Sequence, residues 1–423
     1  MTKLEWADGI RGLAAVTVIL QHFLNAFFPR MNGPFLPEGA EGWNFMTYPF
    51  IRSIYAGNFS VHVFFVLSGI VVPFRYLIKG SKDLGIIQSS VIRRPARLLV
   101  PVIPLSIISY IMYLAHAYDT AADIKFLSIL AMKPKFRSFG QFLLDTFIGI
   151  WMTDGNTYIP QAWTLSYEMM GSILLYVVLL GIHGLQTRFR VGIVAMLCFF
   201  FAVAPTFYGV NIIYYHDFLV GLLIAMFIVW RDEVCKGNRN ASSNESKSSS
   251  LIKKHLVRWT GNLFFLLGLF FGSYPLTISG TGGINASYWR GMKSISDPTE
   301  LHEKFWYTLG GTFLIFGIVL SDWLQWFFSL RLFAFIGHIS YPMYLIHLQL
   351  MASAGVAIYK KLYYSAQLSH GASALTMLAI YTIIIIPLSW VGVPLLDKPS
   401  ITVGRWMEKR IRKKEQPTTI LVR

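Results

Sequence analysis

Residues Ile10 to Phe28 read IRGLAAVTVILQHFLNAFF, and the reading of this run decides the fold. A helix rising ~1.5 Å per residue over this length reaches most of the way across a ~30 Å hydrocarbon core. Only a few polar side chains, chiefly Arg11, Gln21 and His22, break its apolar character. A secretory leader would end in a small-residue cleavage site, and none follows here. The run is therefore expected to be the first spanning helix.

Further apolar runs follow at spanning length. They lie near Asn58–Ile78, Leu98–Ala117, Ala162–His183, 191–208, 212–230, 259–276, 305–321, 332–356 and 373–395. The expected fold is all-α, a polytopic membrane bundle of about ten helices with both termini cytosolic. Phe139–Met152 is apolar but short and contains Asp145, so it reads as an interfacial or re-entrant helix. Composition agrees: of 423 residues, 54% are hydrophobic and only 14% charged, against about 25% charged in soluble domains. The net charge of +16 sits in short loops and the tail, which is positive-inside patterning and not a nucleic-acid surface. The expected inner loops hold Lys79, Lys82, Arg93, Arg94 and Arg97, then Arg188 and Arg190. The domain expectation is a membrane domain over 1–400, interrupted by a cytosolic polar loop at 231–258, then a basic cytosolic tail at 401–423. The Ser/Asn-rich centre of that loop, Asn238–Ser250, reads as a disordered linker. Cys198 and Cys235 imply neither a disulfide framework nor a cysteine metal site.

Ionisable side chains at membrane depth are costly, so each needs a reason. Arg11 and His22 are eleven residues apart, about three turns plus 20°, which puts both on one helix face ~16 Å apart. They either hold the two ends of one long ligand or serve separately as an interface anchor and a packed histidine. Arg93-Arg94-Pro95-Ala96-Arg97 follows, with Arg94 and Arg97 on one face. Such guanidinium forks suit phosphate oxygens, and equally the inner interface. Glu168, in Trp163-Thr164-Leu165-Ser166-Tyr167-Glu168, lies about one and a half turns inside its helix and needs a partner there. In Ser340–His347, Tyr341, Tyr344 and His347 share a face. On the expected topology His22, Glu168 and His347 lie in the outer half, while Arg11, Arg94 and Arg97 lie in the inner half. A donor with phosphates at one end and a reactive group at the other, such as a coenzyme A thioester, fits that polarity.

These residues carry a resemblance to acyltransferase family 3, the multi-pass membrane O-acyltransferases, and most to fungal members. The family's first-helix Arg or Lys, ten residues, then His matches Arg11 and His22. Its Phe-Phe-Val-Leu-Ser-Gly segment resembles Phe64 to Gly69, and its Arg-x-x-Arg matches Arg94 and Arg97. Trp163–Glu168 and Ser340–His347 resemble two further segments, all in the family's order. The resemblance implies transfer of an acyl group, commonly acetyl from acetyl-CoA, to a hydroxyl of a carbohydrate or a small lipophilic metabolite. It implies no permanently bound cofactor, with acyl-CoA as co-substrate, a hydroxyl acceptor as partner and the lipid bilayer as surroundings. It implies His22 as base or relay, and Arg11, Arg94 and Arg97, with Arg93 beside them, as donor-binding groups. On that basis Glu168 is expected to orient His22, and Tyr341 or His347 to position the acceptor or face the developing oxyanion, with Glu168 and His347 able to exchange roles. A transporter or flippase of lipophilic metabolites is the other class that intramembrane charges allow. His62 and His216-Asp217 are expected near outer helix ends, as interfacial or acceptor-contacting groups. Asn285-Ala286-Ser287 is an expected N-glycosylation acceptor in an outer loop.

Overall fold

In the computed structural model, the described residues are 4–29, 45–46, 48–125, 127, 139–152, 158–241, 247–275 and 301–412. They are overwhelmingly helical, because an apolar solvent offers backbone N–H and C=O groups no partner outside the segment itself. The longer helices are α1 (Glu5–Phe27), α2 (Gly57–Ile78), α3 (Leu84–Leu99), α4 (Val102–Leu114), α5 (Phe139–Leu144), α6 (Trp163–Gly181) and α7 (Thr187–Val203). They continue as α8 (Ile213–Ala241), α9 (Lys247–Gly272), α10 (Leu301–Leu320), α11 (Asp322–Phe328), α12 (Arg331–Leu350), α13 (His370–Gly392) and α14 (Lys398–Ile411).

Among the described residues, each expected span coincides with helix over most of its length. Seven helices among the described residues are long and apolar enough to cross a membrane, or eight if α10 and α11, bent by 103° at Ser321, count as one broken span. The expected span near 191–208 is the shorter α7, of 17 residues. The arginine cluster lies mid-run and not at a helix end, because α3 and α4 continue into one another from Leu84 to Leu114. Asp83 caps this run, its carboxylate accepting from Gly85 N–H at 2.9 Å. The polar stretch at 231–258 is bounded by helix on both sides: α8 runs on to Ala241 and α9 starts at Lys247. No proline interrupts those residues. The basic tail begins as helix, and α14 packs along α3. The short segment with Asp145 is helical with a π-turn at Asp145–Gly149, and Phe142 stacks on Tyr110 of α4 at 4.9 Å. Asn285 lies outside the described residues.

Helices α1 and α2 form the centre. Helix α2 packs on α8, α10 and α6, and α1 packs on α2 and α12. Phe65, Val66, Leu67 and Ile70 of α2 are fully buried with Phe218, Leu219 and Leu222 of α8. Phe199 of α7 and Ile383 of α13 project outward, as lipid-facing side chains do. In lipid there is little hydrophobic drive between apolar helices, so close backbone packing at small residues takes its place. At the α1–α12 crossing, a Cβ on Gly12 would stand 2.5 Å from the Gly337 nitrogen, and one on Gly337 would stand 2.2 Å from the Asp8 carbonyl oxygen. Only glycine fits there. About three turns further along both helices, His22 meets His347, so the pair is parallel and in register: the histidines are 325 residues apart, as are the two glycines.

Replacing Gly337 by Ala is expected to push α1 from α12 and lower the thermal unfolding midpoint of the detergent-solubilised protein. Gly192→Ala, at a helical site with open space around it, is expected to hold or raise it, since Ala is about 1 kcal/mol better in helix. Differential scanning fluorimetry compares the two.

Candidate active site

The structure gathers the sequence-derived residues into two polar centres along the α1–α12 seam. In the first, His22 Nδ1 and His347 Nε2 are 2.7 Å apart, with the rings stacked at 4.9 Å and nearly parallel at 12°. His347 is fully buried. Its Nδ1 lies 2.6 Å from the Tyr344 carbonyl oxygen, which can only accept, so Nδ1 carries a proton and donates. A neutral His347 then has a lone pair on Nε2, and His22 must donate to it through Nδ1–H. The lone pair of His22 therefore sits on Nε2. The chain of bonds fixes both tautomers.

Helix α6 and the turn before it hold this centre from one side, and α13 from the other. The Tyr344 hydroxyl donates to the Gln161 carbonyl at 2.7 Å and lies 2.9 Å from Thr164 Oγ1. The Tyr381 hydroxyl donates to the His347 carbonyl at 3.0 Å.

The second centre joins three of the segments singled out in the sequence. Glu168 of α6 forms an ion pair with Arg94 of α3. It also accepts from the Ser68 hydroxyl of α2 at 2.6 Å. Arg94 donates through Nε to Ser172 Oγ at 2.9 Å, and Ser172 donates to the Glu168 carbonyl at 2.6 Å. Arg11 pairs with Asp8 at 3.1 Å and feels the charges of Glu168, Arg94 and Arg97. Tyr341 lies in the field of the same three groups and donates to the Leu98 carbonyl at 3.2 Å. Arg97 is exposed. Among the described residues it forms no ion pair, and Asp397 adds a third carboxylate to the field at Tyr341, beside Asp8 and Glu168 at the other two arginines.

Two expectations change. Glu168 does not meet His22; its partner is Arg94, and His347 is what orients His22. Helical periodicity gives the face on which each residue lies but not the neighbour it faces, and here the glycine crossing selects that neighbour. Arg93, grouped with the donor arginines, turns away from Glu168 and pairs with Glu408 of α14, which also takes Arg412 at 3.4 Å. His62 and Asp217 face each other in the protein interior. They bond at 2.7 Å with 1% and 0% exposure, and Thr308 Oγ1 lies 3.0 Å from the same His62 nitrogen. This pair ties α2, α8 and α10 together away from the histidine pair. Gln161 escaped the sequence reading; its position just before Trp163–Glu168 was the available signal.

The match to a family model described as "Acyltransferase domain" covers residues 4–393. The chain belongs to that family. It is an integral membrane acyltransferase, acting on groups other than amino-acyl groups. Among curated proteins it is similar to the O-acetyltransferase PaAT-1 of Phomopsis amygdali, 25% identical over 448 residues that cover 98% of this chain and 86% of the relative. No solved structure matches it significantly. The family match covers both polar centres of the acyltransferase and stops before α14.

Removing one member of a buried ion pair strands the other, at a typical cost of about 3–5 kcal/mol. Asp217→Leu is expected to lower the acyltransferase's unfolding midpoint more than the double substitution His62→Leu with Asp217→Leu. Thermal melts of the two variants in one detergent measure the difference.

Proposed function

We propose that this acyltransferase moves an acetyl group from acetyl-CoA directly to a hydroxyl of a small lipophilic metabolite. The observation that carries the reading is the bonded chain from the Tyr344 carbonyl through His347 to His22, which leaves His22 Nε2 as a base. A hydroxyl is too weak a nucleophile unless a base takes its proton as it attacks.

His22 Nε2 accepts the hydroxyl proton while the oxygen attacks the thioester carbonyl carbon. The tetrahedral intermediate collapses, the C–S bond breaks, and the thiolate leaves as CoA thiol after taking the proton back from His22 Nε2. Atoms and charge balance, and His22 returns to its starting tautomer. The Nδ1–H bond to His347 strengthens while His22 is cationic, so His347 stabilises as well as orients it. His347 spends its one N–H on Tyr344, which favours a positioning role over oxyanion donation. Tyr341, between the two centres on α12, is the better candidate to line the donor's path.

The donor's phosphates are assigned to the arginine centre. Arg11 and Arg94 are paired with Asp8 and Glu168, while Arg97 is exposed and forms no ion pair among the described residues, which leaves its guanidinium to meet a phosphate. Arg11 and His22 lie ~16 Å apart along α1, a span suited to an extended pantetheine arm. The acetyl group is taken over from the O-acetyltransferase named in Phomopsis. The lipophilic acceptor follows from the site's burial among apolar helices.

The test feeds labelled acetyl-CoA to membranes with and without the protein and identifies the labelled product. A labelled lipophilic ester that depends on the protein is expected, and His22→Ala should reduce it about 10²–10⁴-fold, the usual worth of a general base. Full transfer by His22→Ala would refute the assignment. Arg97→Ala is expected to raise the KM for acetyl-CoA about tenfold, roughly the worth of one charge-assisted hydrogen bond. Arg93→Ala, whose side chain is held by Glu408, is expected to change it far less.

A further inference from the structure

Gln161 sits in the short turn Pro160–Ala162 that leads into α6, and it is 2% exposed. Its side-chain amide has two N–H donors, and both are used on α12. Nε2 donates to the Leu345 carbonyl at 2.6 Å and to Gln349 Oε1 at 2.9 Å. Its backbone carbonyl accepts from the Tyr344 hydroxyl. Gln349 Nε2 in turn donates to the Tyr158 carbonyl at 3.0 Å, tying the same turn back to the segment that leads into Gln161. One residue therefore grips positions 344, 345 and 349, which enclose His347. Immediately beyond, at Met351–Gly355, the helix slips into a π-turn. There the α-helical hydrogen-bond pattern gives way to the wider π pattern.

We propose that Gln161 is a positioning residue that sets the proton of His22 through three hydrogen bonds, Gln161 to Tyr344, Tyr344 to His347 and His347 to His22. This rests on His22 being the base. The grip fixes the Tyr344 carbonyl where it can take the Nδ1–H of His347. If that carbonyl moves, His347 can carry its proton on Nε2 instead. It then donates to His22 Nδ1, and His22 is left with its proton on Nε2. In that arrangement the nitrogen that should accept the hydroxyl proton is already occupied. No bond to substrate is involved, so Gln161 acts on turnover and not on donor binding.

The experiment uses full-length protein in detergent, labelled with ¹⁵N-histidine, with the His22 and His347 signals assigned by loss in His22→Ala and His347→Ala. Gln161→Met keeps the length and removes the donors; Tyr344→Phe removes only the hydroxyl. The expected result is a wild-type signature of Nδ1–H on both rings. Either variant should move His22 toward the Nε2–H form and lower the acetyl-transfer rate tenfold or more, with the KM for acetyl-CoA within twofold. An unchanged His22 signature in the variants would overturn the proposal, as would a change in KM alone. Should Gln161→Met fail to fold, Tyr344→Phe gives the same decision. Full transfer by His22→Ala would instead remove the reading on which the proposal rests.

Discussion

The crossing of α1 and α12 at Gly12 and Gly337 is the constraint on which the rest of the structure depends. Two helices approach this closely only where neither has a Cβ at the contact. The contact fixes the helices' distance, their parallel direction and their register. Because both histidines lie the same number of residues beyond the crossing, one contact between small residues aligns His22 with His347. The arginine end of the seam is aligned by the same geometry, with Arg11 next to Gly12 and Tyr341 one turn past Gly337.

Along that seam the bundle separates two kinds of polar chemistry. At one end, Arg11 and Arg94 are paired with carboxylates, and serines supply further bonds. This is how buried charge is made tolerable in a medium that cannot solvate it. At the other end the groups are imidazole, hydroxyl, amide and backbone carbonyl, in an arrangement where every bond at His347 has a defined direction. A directed chain of this kind allows a neutral histidine to serve as base without a carboxylate behind it. The His62–Asp217 pair shows that the chain does use the carboxylate version elsewhere, in the packing of α2 against α8 and α10.

Much of this was legible in the sequence. Apolar run length located the helices, and the spacing of Arg11 and His22 put them on one face. The five segments that resemble acyltransferase family 3 include most of the residues in both centres. What the sequence withheld was lateral. Periodicity gave His22 a face but not a partner, so Glu168 was expected where His347 stands. It gave Arg93 and Arg94 adjacent places but not their opposite directions toward Glu408 and Glu168. His62 and Asp217, 155 residues apart, could be joined only by the packing of α2 on α8. Gln161 carries no charge and belongs to no spacing pattern, so only its three contacts with one turn reveal it.

The central claim is that His22 and His347 work as one unit in acyl transfer. A double-substitution cycle on the transfer rate, using His22→Ala, His347→Ala and the pair together, tests it most directly. The account predicts that the double variant is no slower than His22→Ala alone, because His347 acts only through His22. Losses that multiply, so that the double variant is slower by the product of the two single effects, would contradict it.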